Sequence, residues 1–235
     1  MNSSAEFSIG HAFVLDPTVS GKIWGLLDAR VGNVYAAAAC NDDLVRRFES
    51  KQQLDEYENP VNRGIYALSY YARSRGSDTS AEVRFNLARN QIKVEISGAE
   101  STVLEVRDRL HEIIAGAKPW YWRIAKFDAY FWFFLFAFFG GFVIGVMGSG
   151  TKNEPLSFKF ALLGAVVLLL FIGAISLVPW SLNRLRERFF PFAVYAIGQG
   201  KIRYDNDEKL RWGVIVAFII SLLSSIVAAI RIQGS

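Results

Sequence analysis

Along the first 119 residues, apolar and polar positions alternate over short periods; beyond Pro119 they separate into long uncharged blocks. Val83, Phe85 and Leu87 alternate with Glu82, Arg84 and Asn86, and Ile92, Val94 and Ile96 alternate with Lys93 and Glu95. A period of two with one apolar face predicts a half-buried antiparallel hairpin, turning near Arg89 and Asn90. Further strands are expected over Val34–Cys40, over 44–48 after the Asn41-Asp42-Asp43 turn, and over Ile65–Arg73.

Helical spacing appears in three places. Asp16 caps a helix with Pro17 in its first turn, where a missing N–H costs nothing. Val19, Ile23, Leu26, Leu27 and Val31 form its apolar stripe, and Gly32 and Asn33 end it. Ser50 and Gln53 have capping-box spacing for a short helix that stops before Asn59-Pro60. Thr102 and Glu105 suit the start of a last helix, with Val103, Val106, Leu110, Ile113 and Ile114 on its buried face and Gly116 at its end. Residues 1–119 therefore read as an α+β domain, an antiparallel sheet of about five strands with helices on one face. About 120 residues suffice for a core without disulfides or metal.

Residues 120–235 read differently. Stretches 129–148, 160–180 and 212–230 contain no Asp, Glu, Lys, Arg or His. Each reaches the roughly 20 residues a helix needs to cross a bilayer core, which predicts three transmembrane α-helices. Trp120, Tyr121, Trp122, Trp180 and Trp212 lie at their flanks, where amphipathic rings favour the lipid–water boundary. Lys118, Arg123, Lys126 and the cations of 181–211 fall on one side of such a topology, ten positive residues against three. That bias orients the N-terminal domain and the 181–211 loop to the cytoplasm and the C-terminus outside. The first residues lack the basic start and apolar stretch of a signal peptide.

The uncharged spans argue against ion-coupled transport, which needs ionisable groups at membrane depth. They offer small residues instead. Gly141 and Gly145 form a GxxxG pair, and Ala217, Ser221 and Ser225 recur every four residues; both are helix-packing faces, within one chain or between copies of a homo-oligomer. In the 181–211 loop, Arg184, Arg186, Arg188, Lys201 and Arg203 suit contact with lipid headgroups, making membrane lipids the expected partner. The apolar stretch 189–198, interrupted by Pro191, reads as an interfacial or re-entrant segment.

Composition sharpens this little. The chain is 52% hydrophobic and 20% charged, with net charge +4, and much of the excess lies in the basic loop. That favours lipid contact over nucleic acid. Cys40 is the only cysteine and sits in an apolar run, so it reads as a buried thiol, and with His11 and His111 alone no zinc pattern exists. His111, among Arg107, Asp108 and Glu112, falls on the polar face of the last helix. Glu82, Arg84, Lys93 and Glu95 face outward from the hairpin, where they pair across strands or form a binding face. Tyr66, Tyr70 and Tyr71 offer either packing or a stacking surface for a base. Neither a nucleophile, a metal cluster nor a cofactor motif stands out, so no enzyme and no cofactor is expected.

The layout, with the sequence Phe-Pro-Phe-Ala-Val-Tyr-Ala-Ile-Gly-Gln-Gly-Lys at 190–201, resembles small bacterial inner-membrane proteins that pair a cytosolic α+β domain with a few spans, some of them anti-phage membrane effectors. The first reading of the chain is a membrane-anchored module that binds or senses a cytosolic protein or small ligand, with spans that localise or oligomerise it. A membrane-perturbing effector is the alternative, and an enzyme with an unrecognised site is a third reading.

Overall fold

Strands with one apolar side gain stability only when those sides share a covered layer, and the chain meets that demand with one sheet and two helices. The computed structural model describes residues 2–76, 78–86, 91–135, 138–139 and 177–233, with side chains up to 225. The elements in chain order are β1 (Asn2–Ile9), β2 (Phe13–Leu15), α1 (Pro17–Arg30), β3 (Val34–Cys40), β4 (Val45–Phe48), α2 (Lys51–Asp55), a 3-10 turn (Val61–Arg63), β5 (Ile65–Arg73), β6 (Ser80–Asn86), β7 (Gln91–Ala99), α3 (Glu100–Gly116), α4 (Trp122–Ala125), β8 (Ala193–Tyr195) and α5 (Gln199–Gln233). They divide into two compact units, Met1–Trp122 with Phe192–Ser235, and Arg123–Pro191.

In the first unit six strands form an antiparallel sheet in the order β1-β7-β6-β5-β3-β4. Val34, Leu68, Val83, Phe85, Val94 and Ile96 point into one core with Ile23 and Leu27 of α1 and Val106, Leu110 and Ile114 of α3. The Asp16 cap forms as the sequence suggests, its Oδ1 accepting the Val19 N–H at 2.7 Å. The Ser50 hydroxyl likewise accepts from Gln53 N at 3.3 Å. Helix α3 begins earlier than the Thr102 signal implied, at Glu100, whose carboxylate suits the positive end of the helix.

A second pairing ties a distant part of the chain into this core. Strand β8 runs parallel to β2, Phe13 beside Ala193 and Leu15 beside Tyr195. The contact continues on either side: Phe13 N–H donates to Phe192 O and Ala196 N–H to Leu15 O, both at 2.9 Å. Asn59 closes it from the other direction. Its buried amide donates to Tyr195 O at 3.0 Å and to Ile197 O at 3.3 Å, and its Oδ1 accepts Ile65 N–H at 2.9 Å. The Tyr195 hydroxyl crosses the core to donate to Phe85 O (2.8 Å) and Tyr66 O (3.2 Å). Gly198, with φ +51°, passes so close to the Tyr57 and Glu58 carbonyls that a Cβ would lie 2.3 and 2.6 Å from their oxygens. Only glycine fits that approach.

The second unit is described in part, with helical residues at 129–135, 138–139 and 177–189. Asn183 joins its two ends: Oδ1 accepts Ala129 N–H at 3.0 Å and Nδ2 donates to Asp128 Oδ1 at 3.3 Å. That bond and the Tyr130 N–H hold the Asp128 carboxyl below its usual range.

Three expectations are corrected. The sheet has six strands rather than about five, because 2–9, poor in large apolar residues, supplies an edge strand. The segment 189–198 is not interfacial throughout: its 193–197 portion is buried in the first unit, as strand β8 and the turn after it. Among the described residues no helix is long and apolar enough to cross a membrane. Most of the expected spans 129–148 and 160–180 lies outside the described residues, and of 212–230 the part with described side chains, 212–225, is shorter than a span needs. It continues from a charged first half of α5, although Phe218 and Ile220 within it are exposed. The three-span architecture is corrected accordingly, as is the multi-pass inner-membrane location with a cytoplasmic N-terminal domain and an outside C-terminus.

Two outcomes follow from the β2–β8 junction. Gly198→Ala should cost about 2 kcal/mol or more, and Asn59→Ala about 3 kcal/mol, in denaturant unfolding; changes under about 0.5 kcal/mol for both would show that the junction carries little stability. Burial raises the phenol pKa of Tyr195 and of Tyr70, whose hydroxyl donates to Ser20 Oγ at 2.8 Å. The folded state therefore keeps protons that the unfolded chain releases above about pH 10. Stability should be intact below that pH and fall as pH rises past it. Urea midpoints against pH should show the decline, shallower in Tyr195→Phe and Tyr70→Phe.

A candidate binding face on the open side of the sheet

The side of the sheet turned away from α1 and α3 carries polar residues in rows, because antiparallel register places same-face residues opposite one another. One row runs through five adjoining strands: Glu6 opposite Glu95, Glu95 opposite Glu82, Glu82 opposite Tyr71, and Tyr71 opposite Tyr35. Beside it on one side run Ser8, Lys93, Arg84, Ser69, Ala37 and Arg47. On the other run Ser4, Ser97, Ser80 and Arg73.

Two successive glutamate–glutamate pairs would repel if left alone. The neighbouring cationic row prevents this. Lys93 Nζ lies 2.8 Å from Glu6 Oε1 and 2.7 Å from Glu95 Oε1. Arg84 grips Glu82 through two guanidinium nitrogens, Nε on Oε1 and Nη2 on Oε2 at 2.6 Å. The hydrogen bonds to Glu6 and Glu95 raise the Lys93 pKa, and Lys93 in turn holds the Glu95 carboxyl below its ordinary range.

The tyrosine end of the row is stacked. The rings of Tyr35 and Tyr71 lie 5.0 Å apart and 15° from parallel, and the Arg47 guanidinium sits 3.9 Å from the Tyr35 centroid. Both faces of Tyr35 are therefore occupied, one by a ring and one by a cation. Partial burial, and after it the hydrogen bond with Glu82, raises the Tyr71 phenol. Between the acidic and serine rows lies a cavity of about 390 Å³, lined by Tyr35, Tyr71, Arg73, Glu82, Glu95 and the serines at 4, 80 and 97. Ser80 and Ser97 share a hydrogen bond of 2.9 Å across it. Carboxylates only accept hydrogen bonds and serines both accept and donate, so this lining is rich in acceptors.

The residues singled out from sequence scatter by comparison. Arg184, Arg186 and Arg188 belong to the second unit, where Arg184 and Arg188 are exposed and Arg186 donates to Phe127 O. Lys201 is exposed on α5, whereas Arg203 donates to Asn59 O at 2.9 Å and so supports the β8 junction. Gly141 and Gly145 lie outside the described residues. Ala217, Ser221 and Ser225 are exposed on α5, and the Ser225 hydroxyl donates to Ser221 O of its own helix at 2.9 Å.

Three of the aromatic flanks, Trp120, Tyr121 and Trp212, have specific partners. Trp120 Nε1 donates to Glu208 Oε1 at 2.7 Å and Trp212 Nε1 to the same oxygen at 3.2 Å. Glu208 also pairs with buried Arg211 at 2.6 Å, whose guanidinium lies 4.7 Å from the Tyr121 ring centroid. Of the three tyrosines expected to pack or stack, Tyr70 is in the core and Tyr71 joins the open face. The Tyr66 carbonyl receives Tyr195. His111 is exposed beside Phe7, ring centroids 6.2 Å apart, and Cys40 is buried. Tyr35, Arg73 and the serine row had no sequence signal, because their significance comes only from register. Among the described residues no group of three His, Cys, Asp or Glu side chains is placed to hold a metal ion.

The pairing of Lys93 has a measurable sign. A carboxylate with a lowered folded pKa contributes stability above its unfolded value, about 4.3, and loses that contribution as pH falls through the folded value. Carboxyl NMR titration should place Glu95 below the ordinary glutamate range. In Lys93→Met its pKa should rise, because Glu6 and Glu95 lose their shared cation while Arg84 still pairs with Glu82; an unmoved Glu95 would show that Lys93 does not govern the row.

Neither a protein-family model, a curated protein nor a solved structure matches the chain.

Proposed function

We propose that the first unit is a recognition module whose open sheet face binds a small polar ligand that presents hydroxyl or ammonium donors. The row Glu6–Glu95–Glu82–Tyr71–Tyr35, opening onto the cavity of about 390 Å³, carries this reading. That volume is within the usual range for small-molecule sites. The lining supplies acceptors from three strands, with Arg73 as a positive group.

Several features favour binding over catalysis. The carboxylates are in ion pairs at the surface, and Glu95 stays ionised well below neutral pH, whereas a general acid or base works best with a pKa near the working pH. Base stacking is disfavoured at Tyr35, whose faces are filled by Tyr71 and Arg47. Strand-borne side chains locked by cross-strand pairs also suit a preorganised site, which loses little entropy on binding.

A thermal-shift screen of the intact chain against polyols, amines and amino sugars tests the reading. A ligand of this face should raise the melting temperature of the parent and bind at least about tenfold more weakly to Tyr71→Ala and to Glu82→Gln. Hits with unchanged affinity for both variants would place binding elsewhere and remove the basis for this function.

A further inference from the structure

The two edges of the six-stranded sheet are unequal. At one end β4 is four residues long and carries Arg46 and Arg47, and its neighbour β3 has a register shift between Ala39 and Cys40. Short length, charge and irregularity are the usual protections of an edge. At the other end β1 is eight residues long and pairs with β7 in unbroken register from Asn2 to Ile9. It has no proline, no lysine and one charge, Glu6. Among the described residues, no strand pairs with its outer side. Ala5, Phe7 and Ile9 carry the apolar side of the sheet out to this edge, where they remain partly buried.

We propose that β1 is a self-pairing edge, joining a second copy of this chain antiparallel about a two-fold axis. The register follows from geometry. Opposed residues share a face of the sheet, so the axis must pass through a position and not between two. Axes at Ala5 and Glu6 keep the longest overlap. An axis at Glu6 sets the two copies' carboxylates directly opposite each other, which is unfavourable. An axis at Ala5 sets Glu6 opposite the Ser4 of the second copy, whose hydroxyl can donate to it, twice by symmetry. It also sets Ala5 opposite Ala5 and Ser3 opposite Phe7, so no like charges stand directly opposite each other. Avoiding opposed carboxylates thus selects one register, in which the unprotected edge is compatible with a second copy of itself, independently of any ligand on the open face.

Disulfide trapping in the full chain tests the register. With Cys40→Ala removing the native thiol, single cysteines are introduced as Ser3→Cys, Ala5→Cys or Glu6→Cys. Directly opposed residues in an antiparallel pair lie about 4.5–5.5 Å apart between Cα atoms, within reach of a disulfide. Under mild oxidation Ala5→Cys should give a covalent dimer and the other two should not. Dimer from Glu6→Cys in its place, equal yields at all three positions, as random association would give, or no dimer at all would overturn the proposal. Adding Ser4→Glu to Ala5→Cys places two carboxylate pairs across the interface and should cut the yield about tenfold. Adding Glu6→Lys as well turns both pairs into attractions and should restore it. Failure of either change to appear would reject the Ala5-centred pairing.

Discussion

The first unit depends on the burial of one amide, that of Asn59. A buried amide whose donors and acceptor are unpaired costs several kcal/mol, so the chain must bring partners to it. Two are the carbonyls of Tyr195 and Ile197, more than 130 residues away in sequence, and the third is the Ile65 N–H that opens β5. Asn59 therefore couples the start of the central strand β5 to the return of the chain through β8. Its own backbone has φ +49°, a conformation asparagine adopts more readily than most residues. The close pass of Gly198, the Arg203 bond to Asn59 O and the Tyr195 hydroxyl in the core are consequences of that same approach.

The sheet then separates two kinds of chemistry with one period. Inward positions are mostly Val, Ile, Leu, Phe and Ala, with Cys40 and Tyr70 among them, closed by α1 and α3. Outward positions could have been any soluble mixture, yet they sort by row into hydroxyl, acid-aromatic and cationic lines. Cross-strand repulsion explains part of the order: three glutamates in line require cations in the next line, and Lys93 and Arg84 occupy it. It does not require serines at 4, 80 and 97, or a tyrosine stack capped by Arg47. Those residues exceed what charge balance needs and give the face its binding character.

Local signals in the sequence identified most of the sheet and the helices of the first unit. The Asp16 and Ser50 caps, the β6–β7 alternation and the apolar stripe of α3 each express a short-range rule, and each element formed. The strands β1, β2 and β8 were not legible, for different reasons. Asn2–Ile9 has few large apolar residues, since an edge strand is only half covered. Phe13–Leu15 and Ala193–Tyr195 are three residues each, too short for periodicity, and pair across a sequence separation that no local pattern reports. The same limit misdirected the reading of 189–198, whose aromatics matched a lipid boundary in composition but include Tyr195, which fills a protein core. The candidate face is half legible: the alternation of β6 and β7 puts Glu82, Arg84, Lys93 and Glu95 on one outward face. Glu6, Tyr35 and Arg73 join them only through pairing with β7, β5 and β6.

The edge and the face are linked by the same register. With the two-fold axis at Ala5, Glu6 of one copy lies across from Ser4 of the other, so the acidic row of one sheet continues into the serine row of the next. The line then reads Tyr35, Tyr71, Glu82, Glu95, Glu6 and on into Ser4, Ser97, Ser80 and Arg73 of the second copy. Pairing through the strand edge leaves the faces uncovered, because it uses outward backbone groups and not side chains of the open side. The two cavities would then share one continuous polar surface, related by the two-fold axis. A ligand long enough to reach past Glu6 would meet the serine row of the second copy, and its affinity would depend on chain concentration, which a ligand confined to one cavity would not show.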